Sequence, residues 1–214
     1  MNPPLPSTLY FAYGSNLWLE QMALRCPNSP YVGMAVLRDW RWIINERGYA
    51  TIVPAPGDIV VGMVYALVPE DEMRLDRNEG VPFAYVTESL KATVTWAGAA
   101  LSQASNDGNR DGEEVELLVY VDHERVLEST PNEEYVWRMN MGIADALARG
   151  MTLEYVEKYL RPFIRAEARE KVEAIAVPRY LMPGPPPSLG RILTHRWFYA
   201  AIYCFPGSGM GMKK

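Results

Sequence analysis

A glycine-centred loop near the amino terminus has residue types that can hold an anion. Tyr13-Gly14-Ser15-Asn16 directly follows an alternating β-rich stretch, so it is predicted to be a tight loop at the end of a strand. Gly14 permits backbone angles that are closed to other residues, and successive N–H groups in such a turn can converge on a carboxylate or an oxyanion. A helix that began near Leu17 would add its free N–H groups. The alternative is an ordinary strand-to-helix turn in which Ser15 or Asn16 is the N-cap.

A single acid near a predicted helix end is the second candidate for chemistry. Glu79 follows Leu75-Asp76-Arg77-Asn78 and precedes Gly80. A carboxylate at the end of a helix lies against the negative pole of the helix dipole, which disfavours it electrostatically. Its position therefore indicates a purpose other than helix stability. The alternative is a solvated turn residue with no role in a site.

The elements that would position these two candidates are mostly strands. Alternation and β-rich composition predict strands over residues 8–13, 31–44, 49–53, 59–67, 83–96 and 115–121. Residues 54–58 are rich in proline and glycine, so the third and fourth strands are predicted to form a hairpin. The fifth and sixth are predicted to pair across a surface loop at residues 97–114.

Helices are predicted at the joints and late in the chain. A short helix is expected over residues 17–24, and Pro69 followed by three acids begins another that ends near Gly80. Two longer helices begin at Asn132 and Thr152, and Gly150 closes the first. The apolar face of that first helix comprises Tyr135, Met139, Ile143, Ala144 and Leu147. This order predicts an α+β fold whose sheet can close into a small barrel, because it lacks the strand–helix alternation of a doubly wound fold.

The length and the late composition predict one domain with an appended segment. A chain of 214 residues with 49% hydrophobic content can bury one core, and residues 1–182 are assigned to it. Residues 183–214 are a proline-rich linker and an apolar tail, which is expected to pack on the same domain. Two positions are open for this tail: a wall of the active-site mouth, or a sheet edge or dimer interface elsewhere.

Charge and cysteine content exclude several classes of partner and location. The net charge is -5 and no Lys/Arg-rich block occurs, so neither nucleic acid nor a membrane surface is an expected partner. Cys26 and Cys204 cannot build a disulfide framework and are interpreted as free thiols. The first six residues lack a secretion signal, and the apolar run at 197–205 is shorter than the about 20 residues that span a bilayer. A cytoplasmic protein is predicted.

Several segments, taken in order, resemble the γ-glutamyl cyclotransferase superfamily, the group with the AIG2-like fold. Tyr10-Phe11-Ala12-Tyr13-Gly14-Ser15-Asn16-Leu17 is similar to its opening signature, and Leu75-Asp76-Arg77-Asn78-Glu79-Gly80 is similar to its acid motif. Similar segments between and after these motifs are Gly48-Tyr49-Ala50-Thr51-Ile52, Pro56-Gly57-Asp58, Gly62-Met63-Val64-Tyr65, Tyr120, the helix from Tyr135 to Gly142, and Leu153-Glu154-Tyr155. The resemblance extends over residues 10–163, and the two motifs at this separation are specific.

The resemblance implies a small mixed β-barrel with flanking helices and a cavity at one end. The catalytic acid of the family falls on Glu79. The implied substrate-binding residues are Tyr10, Tyr13, Gly14, Ser15, Asn16, Tyr85, Tyr120 and Tyr135. The link from Glu79 to Tyr85 is one residue shorter than in mammalian members, so Tyr85 is the assignment that most needs a structure.

The implied reaction is an intramolecular cyclisation. The α-amine of a γ-glutamyl group attacks its own γ-carbonyl, forms 5-oxoproline and expels an amine, amino acid or peptide. The nucleophile is tethered, so one carboxylate that relays a proton is a sufficient acid–base group. The loop N–H groups would hold either the substrate α-carboxylate or the oxyanion, and both remain open.

No cofactor and no metal is expected, since His123 and His195 share no ligand spacing with the cysteines. The expected partner is a small γ-glutamyl molecule, and the chain is expected to be a monomer or a homodimer. The substrate is open among γ-glutamyl amino acids, glutathione or a glutathione adduct, and γ-glutamyl-ε-lysine. The alternative function is a non-catalytic module that binds a γ-glutamyl-like molecule. A binder has no need of Glu79 in the pocket, and this residue separates the two hypotheses.

Overall fold

The structure is a computed structural model that describes residues 7–97 and 112–167. Most of the predicted surface loop at 97–114 lies outside these residues, as do the linker and tail at 183–214. Within the described residues, no helix is both long enough and apolar enough to cross a membrane.

Five strands close into a barrel. They are β1 (Thr8–Ala12), β2 (Tyr31–Ile44), β3 (Ala50–Leu67), β4 (Val86–Trp96) and β5 (Glu113–Val121). Their order around the barrel is β1-β3-β2-β4-β5. Neighbours are antiparallel except β1 and β5, which run parallel and pair through Tyr10 and Leu118. The predicted mixed barrel in an α+β chain is confirmed.

Four helices flank the barrel in the described part of the chain. They are α1 (Leu19–Arg25), α2 (Pro69–Glu79), α3 (Glu133–Leu147) and α4 (Leu153–Tyr155), and α4 continues into a π-helical turn (Val156–Leu160). Pro69 occupies the first turn of α2 together with three acids, and Gly80 ends the helix in the left-handed conformation at φ 69°. This helix therefore delivers Glu79 at its last position, as predicted.

The predicted hairpin at residues 49–67 is wrong, because both of its halves belong to the single strand β3. Each half pairs with β2: Trp40 lies opposite Pro54, and Arg38 lies opposite Ile59. Between these pairs the ladder is irregular, and the Gly57 N–H donates to the Asp39 carboxylate at 2.8 Å. Proline and glycine suit a bulge as well as a turn, so composition alone cannot separate the two.

The late elements follow their predictions with two exceptions. The longer helix predicted from Thr152 is only the short α4 with its π-helical turn, and the buried face of α3 differs at one position. β4 and β5 pair from Val86 opposite Val121 to Val94 opposite Glu113, which is the predicted hairpin across the surface loop. In α3 the predicted face is buried at Tyr135, Met139 and Ile143, whereas Ala144 is exposed and Ala146 is buried instead.

Cys26 is a buried thiol at the end of α1. It is 1% exposed, and its Sγ lies 3.7 Å from the Asp71 carbonyl oxygen. Burial raises the pKa of the Cys26 thiol to about 12, and the Asp71 carboxylate adds to the rise. Only a thiolate attacks thiol reagents, so the native thiol stays protonated and unreactive between pH 7 and pH 9.

We therefore expect Cys26 to resist alkylation by iodoacetamide at pH 8 until the protein unfolds. Peptide mass spectrometry follows Cys26 separately from Cys204, and a urea-unfolded sample is the control. Native labelling of Cys26 at the rate of the unfolded sample would contradict its burial.

Candidate active site

The Glu79 carboxylate is held by two side chains from the amino-terminal part of the chain. Its Oε1 accepts a hydrogen bond from Asn16 Nδ2 at 3.0 Å and an ion-pair bond from Arg25 at 3.1 Å. The Glu79 and Arg25 side chains are only 17% and 12% exposed. Both bonds end on Oε1, and no side chain among the described residues donates to Oε2. The acid is thus fixed in orientation and keeps one oxygen for a ligand.

Asn16 is oriented by bonds at both ends of its amide. Its Nδ2 donates to the Tyr10 hydroxyl at 2.8 Å as well as to Glu79. Its Oδ1 accepts from Gln21 at 2.7 Å and from Arg25 at 3.0 Å. The glycine-centred loop and the acid motif, 63 residues apart in sequence, therefore meet through one hydrogen bond.

The loop itself is a 3-10 turn (Ser15–Leu17) preceded by Gly14. Gly14 has φ -106°, so it does not supply the left-handed angle. It supplies space, because a Cβ atom there would lie 2.8 Å from the Tyr135 hydroxyl. Neither Ser15 nor Asn16 caps the turn with its side chain, since the turn has no side-chain cap.

The loop N–H groups are less available to an anion than the sequence suggested. The Ser15 N–H donates to the Tyr135 hydroxyl at 3.3 Å. The N–H groups of Leu17, Trp18 and Leu19 donate to Gly14, Ser15 and Asp145 respectively. An anion that approached the loop would therefore compete with the Tyr135 hydroxyl for the Ser15 N–H.

The five predicted tyrosines are all buried around this loop and Glu79. Tyr10 contacts Asn16, and its ring packs edge-on against Tyr120 at 5.5 Å between centroids. The other hydroxyls have defined partners: Tyr13 donates to the Tyr120 carbonyl at 2.5 Å, Tyr85 to the Ala50 carbonyl at 2.9 Å, and Tyr120 to Asp76 at 2.8 Å. The shorter link after Glu79 thus still places Tyr85 in this cluster.

These tyrosines remain neutral at physiological pH. Burial raises the pKa of Tyr10, Tyr13, Tyr85 and Tyr120 well above the usual tyrosine range, and the charge of Glu79 adds to the rise in each. Burial raises the pKa of Tyr135 to about 12, against the opposing influence of Arg138 and of two backbone N–H groups, those of Ala50 and Ser15. All five can donate hydrogen bonds, and none is suited to remove a proton.

The sequence did not point to three polar residues that bond to the loop or to Glu79: Gln21, Arg25 and Arg138. Gln21 is fully buried and donates to the Ser15 hydroxyl at 3.0 Å. Arg138 donates to the same hydroxyl at 3.0 Å and forms two bonds with Glu134. The available signal was spacing, because Gln21 and Arg25 are four residues apart and so lie on one face of α1.

The residues described here include no cluster of three or more His, Cys, Asp and Glu side chains that could hold a metal ion. The arrangement instead offers one oriented carboxylate, a cation beside it, and neutral tyrosine hydroxyls. Such a set can move a proton at Glu79 and donate hydrogen bonds to a polar ligand.

Known proteins share both the sequence pattern and the fold. A family model described as "Gamma-glutamyl cyclotransferase, AIG2-like" matches residues 10–139. The chain is 30% identical to a γ-glutamylcyclotransferase of Homo sapiens over 167 residues, which is 73% of this chain and 79% of the relative. It is 31% identical to that of Mus musculus over 161 residues, covering 70% and 76%. A solved γ-glutamyl cyclotransferase structure is similar at a TM-score of 0.59 and 27% identity, covering 79% of this chain and 97% of the other.

Proposed function

The chain belongs to the γ-glutamyl cyclotransferase, AIG2-like family, and we propose that it uses Glu79 to convert a γ-glutamyl compound into 5-oxoproline and a free amine. The observation that carries the proposal is the 3.0 Å bond between Asn16 of the loop and the Glu79 carboxylate. It supports the proposal because it keeps the Glu79 carboxylate beside the loop that would hold the γ-glutamyl part.

The proposed reaction balances without water or any other co-reactant. The α-nitrogen of the γ-glutamyl group bonds to the γ-carbon while the carbonyl oxygen becomes an oxyanion. The oxyanion then collapses, and the bond between the γ-carbon and the leaving nitrogen breaks. The α-ammonium loses two protons, one to Glu79 before the attack and one from the ring nitrogen after it. Glu79 gives the first to the leaving nitrogen as the bond breaks, and the second ends on the released amine, which leaves as an ammonium ion. Because the nucleophile is tethered, positioning and one proton relay supply most of the catalysis.

Glu79 is the better proton relay, because the neighbouring phenols hold their protons. Burial raises the pKa of Tyr10 and Tyr13 far above neutrality, so these hydroxyls stay protonated throughout the reaction. The bonds from Asn16 and Arg25 both end on Oε1 of Glu79, which leaves Oε2 as the oxygen that receives the proton in this mechanism.

Tyr135 is the proposed donor to the oxyanion. Its hydroxyl accepts the Ser15 N–H at 3.3 Å. A hydroxyl oxygen that accepts an N–H bond keeps its own proton for a further acceptor. A developing oxyanion beside Gly14 would be such an acceptor, since the space for a Cβ atom there borders the Tyr135 hydroxyl at 2.8 Å.

The test of the function is release of 5-oxoproline by the purified protein. The panel comprises γ-glutamylalanine, glutathione, a glutathione S-conjugate and γ-glutamyl-ε-lysine, and the amine product is measured in parallel. Equal amounts of 5-oxoproline and amine from at least one compound are expected. Release from none, together with calorimetric binding of one, would instead favour the non-catalytic module.

Arg25 has a proposed role in holding the Glu79 carboxylate for proton transfer. We expect Arg25→Met to lower kcat by about 10- to 100-fold, because a hydrogen bond to a charged group is lost at a largely buried site. Arg25→Lys keeps the charge and should recover part of kcat, with KM changed less than kcat in both variants. Full activity in Arg25→Met would contradict this role.

The same proposal includes a cytoplasmic location, no metal or cofactor, and a monomer or homodimer. The buried free thiol of Cys26 supports a reducing compartment. The reaction as written requires only a carboxylate and hydrogen-bond donors, which supports the absence of a cofactor.

A further inference from the structure

Arg47 is a rigidly placed cation beside the tyrosine cluster. Its backbone is held on both sides, because its N–H donates to Asn45 Oδ1 at 3.0 Å and its carbonyl accepts from Asn132 at 2.9 Å. Its guanidinium lies over the ring of Tyr85, 4.9 Å from the centroid, and 5.8 Å from the centroid of Tyr49. The side chain is 23% exposed, so it borders solvent.

Among the described residues, Arg47 has one long ion pair, with Asp122, and one hydrogen bond. Its one hydrogen bond to a described residue goes to the neutral Ala84 carbonyl at 3.1 Å, and its Nε is buried without an acceptor there. Its nearest carboxylate, Asp122, is 3.9 Å away and is already bonded to Arg125 at 2.8 Å and to Asn45 at 2.9 Å. A guanidinium with unused donors in this setting is suited to an incoming carboxylate.

Tyr85 contacts Arg47 and belongs to the tyrosine cluster around Glu79. Tyr85 lies within electrostatic range of both groups, since Glu79 raises its pKa and Arg47 lowers it, while burial has the largest effect. Tyr49 provides a second connection, because its ring packs edge-on against Tyr135 at 5.2 Å. Through Tyr85 and Tyr49, Arg47 is therefore connected to the tyrosine cluster, including Tyr135.

We propose that Arg47 binds a carboxylate on the leaving group of the substrate and so selects γ-glutamyl amino acids and peptides over γ-glutamyl amines. The inference rests on the proposed function and adds a specificity-determining residue to it. The carboxylate would bind the terminal guanidinium donors that the Ala84 carbonyl does not use, since Nε itself is buried. The rings of Tyr85 and Tyr49 would keep the guanidinium plane oriented.

The test compares γ-glutamylalanine with its carboxamide, which differs only in the charge of the leaving group. The wild-type protein should have a kcat/KM about 10- to 100-fold higher for the acid than for the amide. Arg47→Met should bring this ratio close to one, mainly by raising KM for the acid. Arg47→Lys keeps the charge without the planar fork and should keep part of the preference.

Arg125→Met is the matched control. Arg125 also donates to the turn after Glu79, with bonds to the Phe83 carbonyl at 3.0 Å and to the Ala84 carbonyl at 3.5 Å, but its charge is met by Asp122. Loss of the Arg125 bonds to this turn should lower kcat/KM for the acid and the amide alike, so the ratio of the two values should stay unchanged.

Three results would overturn the inference: a wild-type ratio near one, an unchanged ratio in Arg47→Met, or an equal loss of preference in Arg125→Met. If Arg47→Met does not fold, the wild-type ratio and Arg47→Lys decide. Absence of 5-oxoproline from both compounds with wild-type protein is a different result, because it refutes the proposed function itself.

Discussion

Glu79→Gln should lower kcat for 5-oxoproline release by about 10²–10⁴-fold, which is the usual effect of removing a general acid–base group. The fold should survive, because both bonds to the carboxylate end on Oε1 and a glutamine Oε1 can accept them. Some affinity for the substrate should also remain, since glutamine keeps the shape of the side chain. The measurements are 5-oxoproline release and circular dichroism.

The matched control for this variant is Glu70→Gln. Glu70 is an exposed acid in the first turn of the same helix, so its loss changes the helix charge equally without touching the site. We expect its kcat to remain within about twofold of the wild-type value, because exposed charges at a helix start have small effects. If the kcat of Glu79→Gln stayed within a few-fold of the wild-type value and the circular dichroism spectrum were unchanged, Glu79 would not be the proton relay.

Gly14→Val should be far more damaging than Ser15→Ala. A Cβ atom at Gly14 would lie 2.8 Å from the Tyr135 hydroxyl, so valine must displace the proposed oxyanion donor. Displacement of a catalytic group by about 1 Å can cost 10²-fold, and we expect kcat/KM to fall by at least about that factor. Gly14→Ala should be intermediate, since alanine adds only the first of the clashing atoms.

Ser15→Ala keeps the N–H that donates to Tyr135 and loses only the hydroxyl. That hydroxyl accepts from Gln21 and from Arg138, each at 3.0 Å, so its loss should cost about tenfold in kcat/KM rather than nothing. The structure thus gives the Ser15 hydroxyl hydrogen-bond partners of its own, besides that of the N–H. Equal and small effects of Gly14→Val and Ser15→Ala would mean that the loop is only a turn.

The fold was predictable wherever local sequence determines the structure. Pro69 and the following acids define the start of α2, and the alternation at residues 115–121 defines β5. The error at residues 54–58 arose because proline and glycine favour both turns and bulges, and only the pairing partner distinguishes them. That partner, β2, is set by tertiary structure.

The proximity of Glu79 to the loop was predictable because both belong to recognisable motifs, whereas their roles in the reaction stay predictions. The supporting residues were not predictable, because each carries an ordinary helix or turn pattern. Gln21 is a fully buried amide that the sequence does not distinguish from a surface glutamine. The role proposed for Arg47 depends on its position over Tyr85, which follows it by 38 residues.

Closure of the barrel determines when activity can first appear during folding. Tyr10 pairs β1 with β5. Its hydroxyl also accepts the hydrogen bond from Asn16 Nδ2. The Tyr13–Tyr120 and Ser15–Tyr135 bonds likewise join residues 107 and 120 positions apart. Contacts of such long range form late in folding, since the chain must first lose the entropy of a large loop. A nascent chain should therefore remain inactive until α3 has been synthesised, and partly folded forms should have no residual turnover.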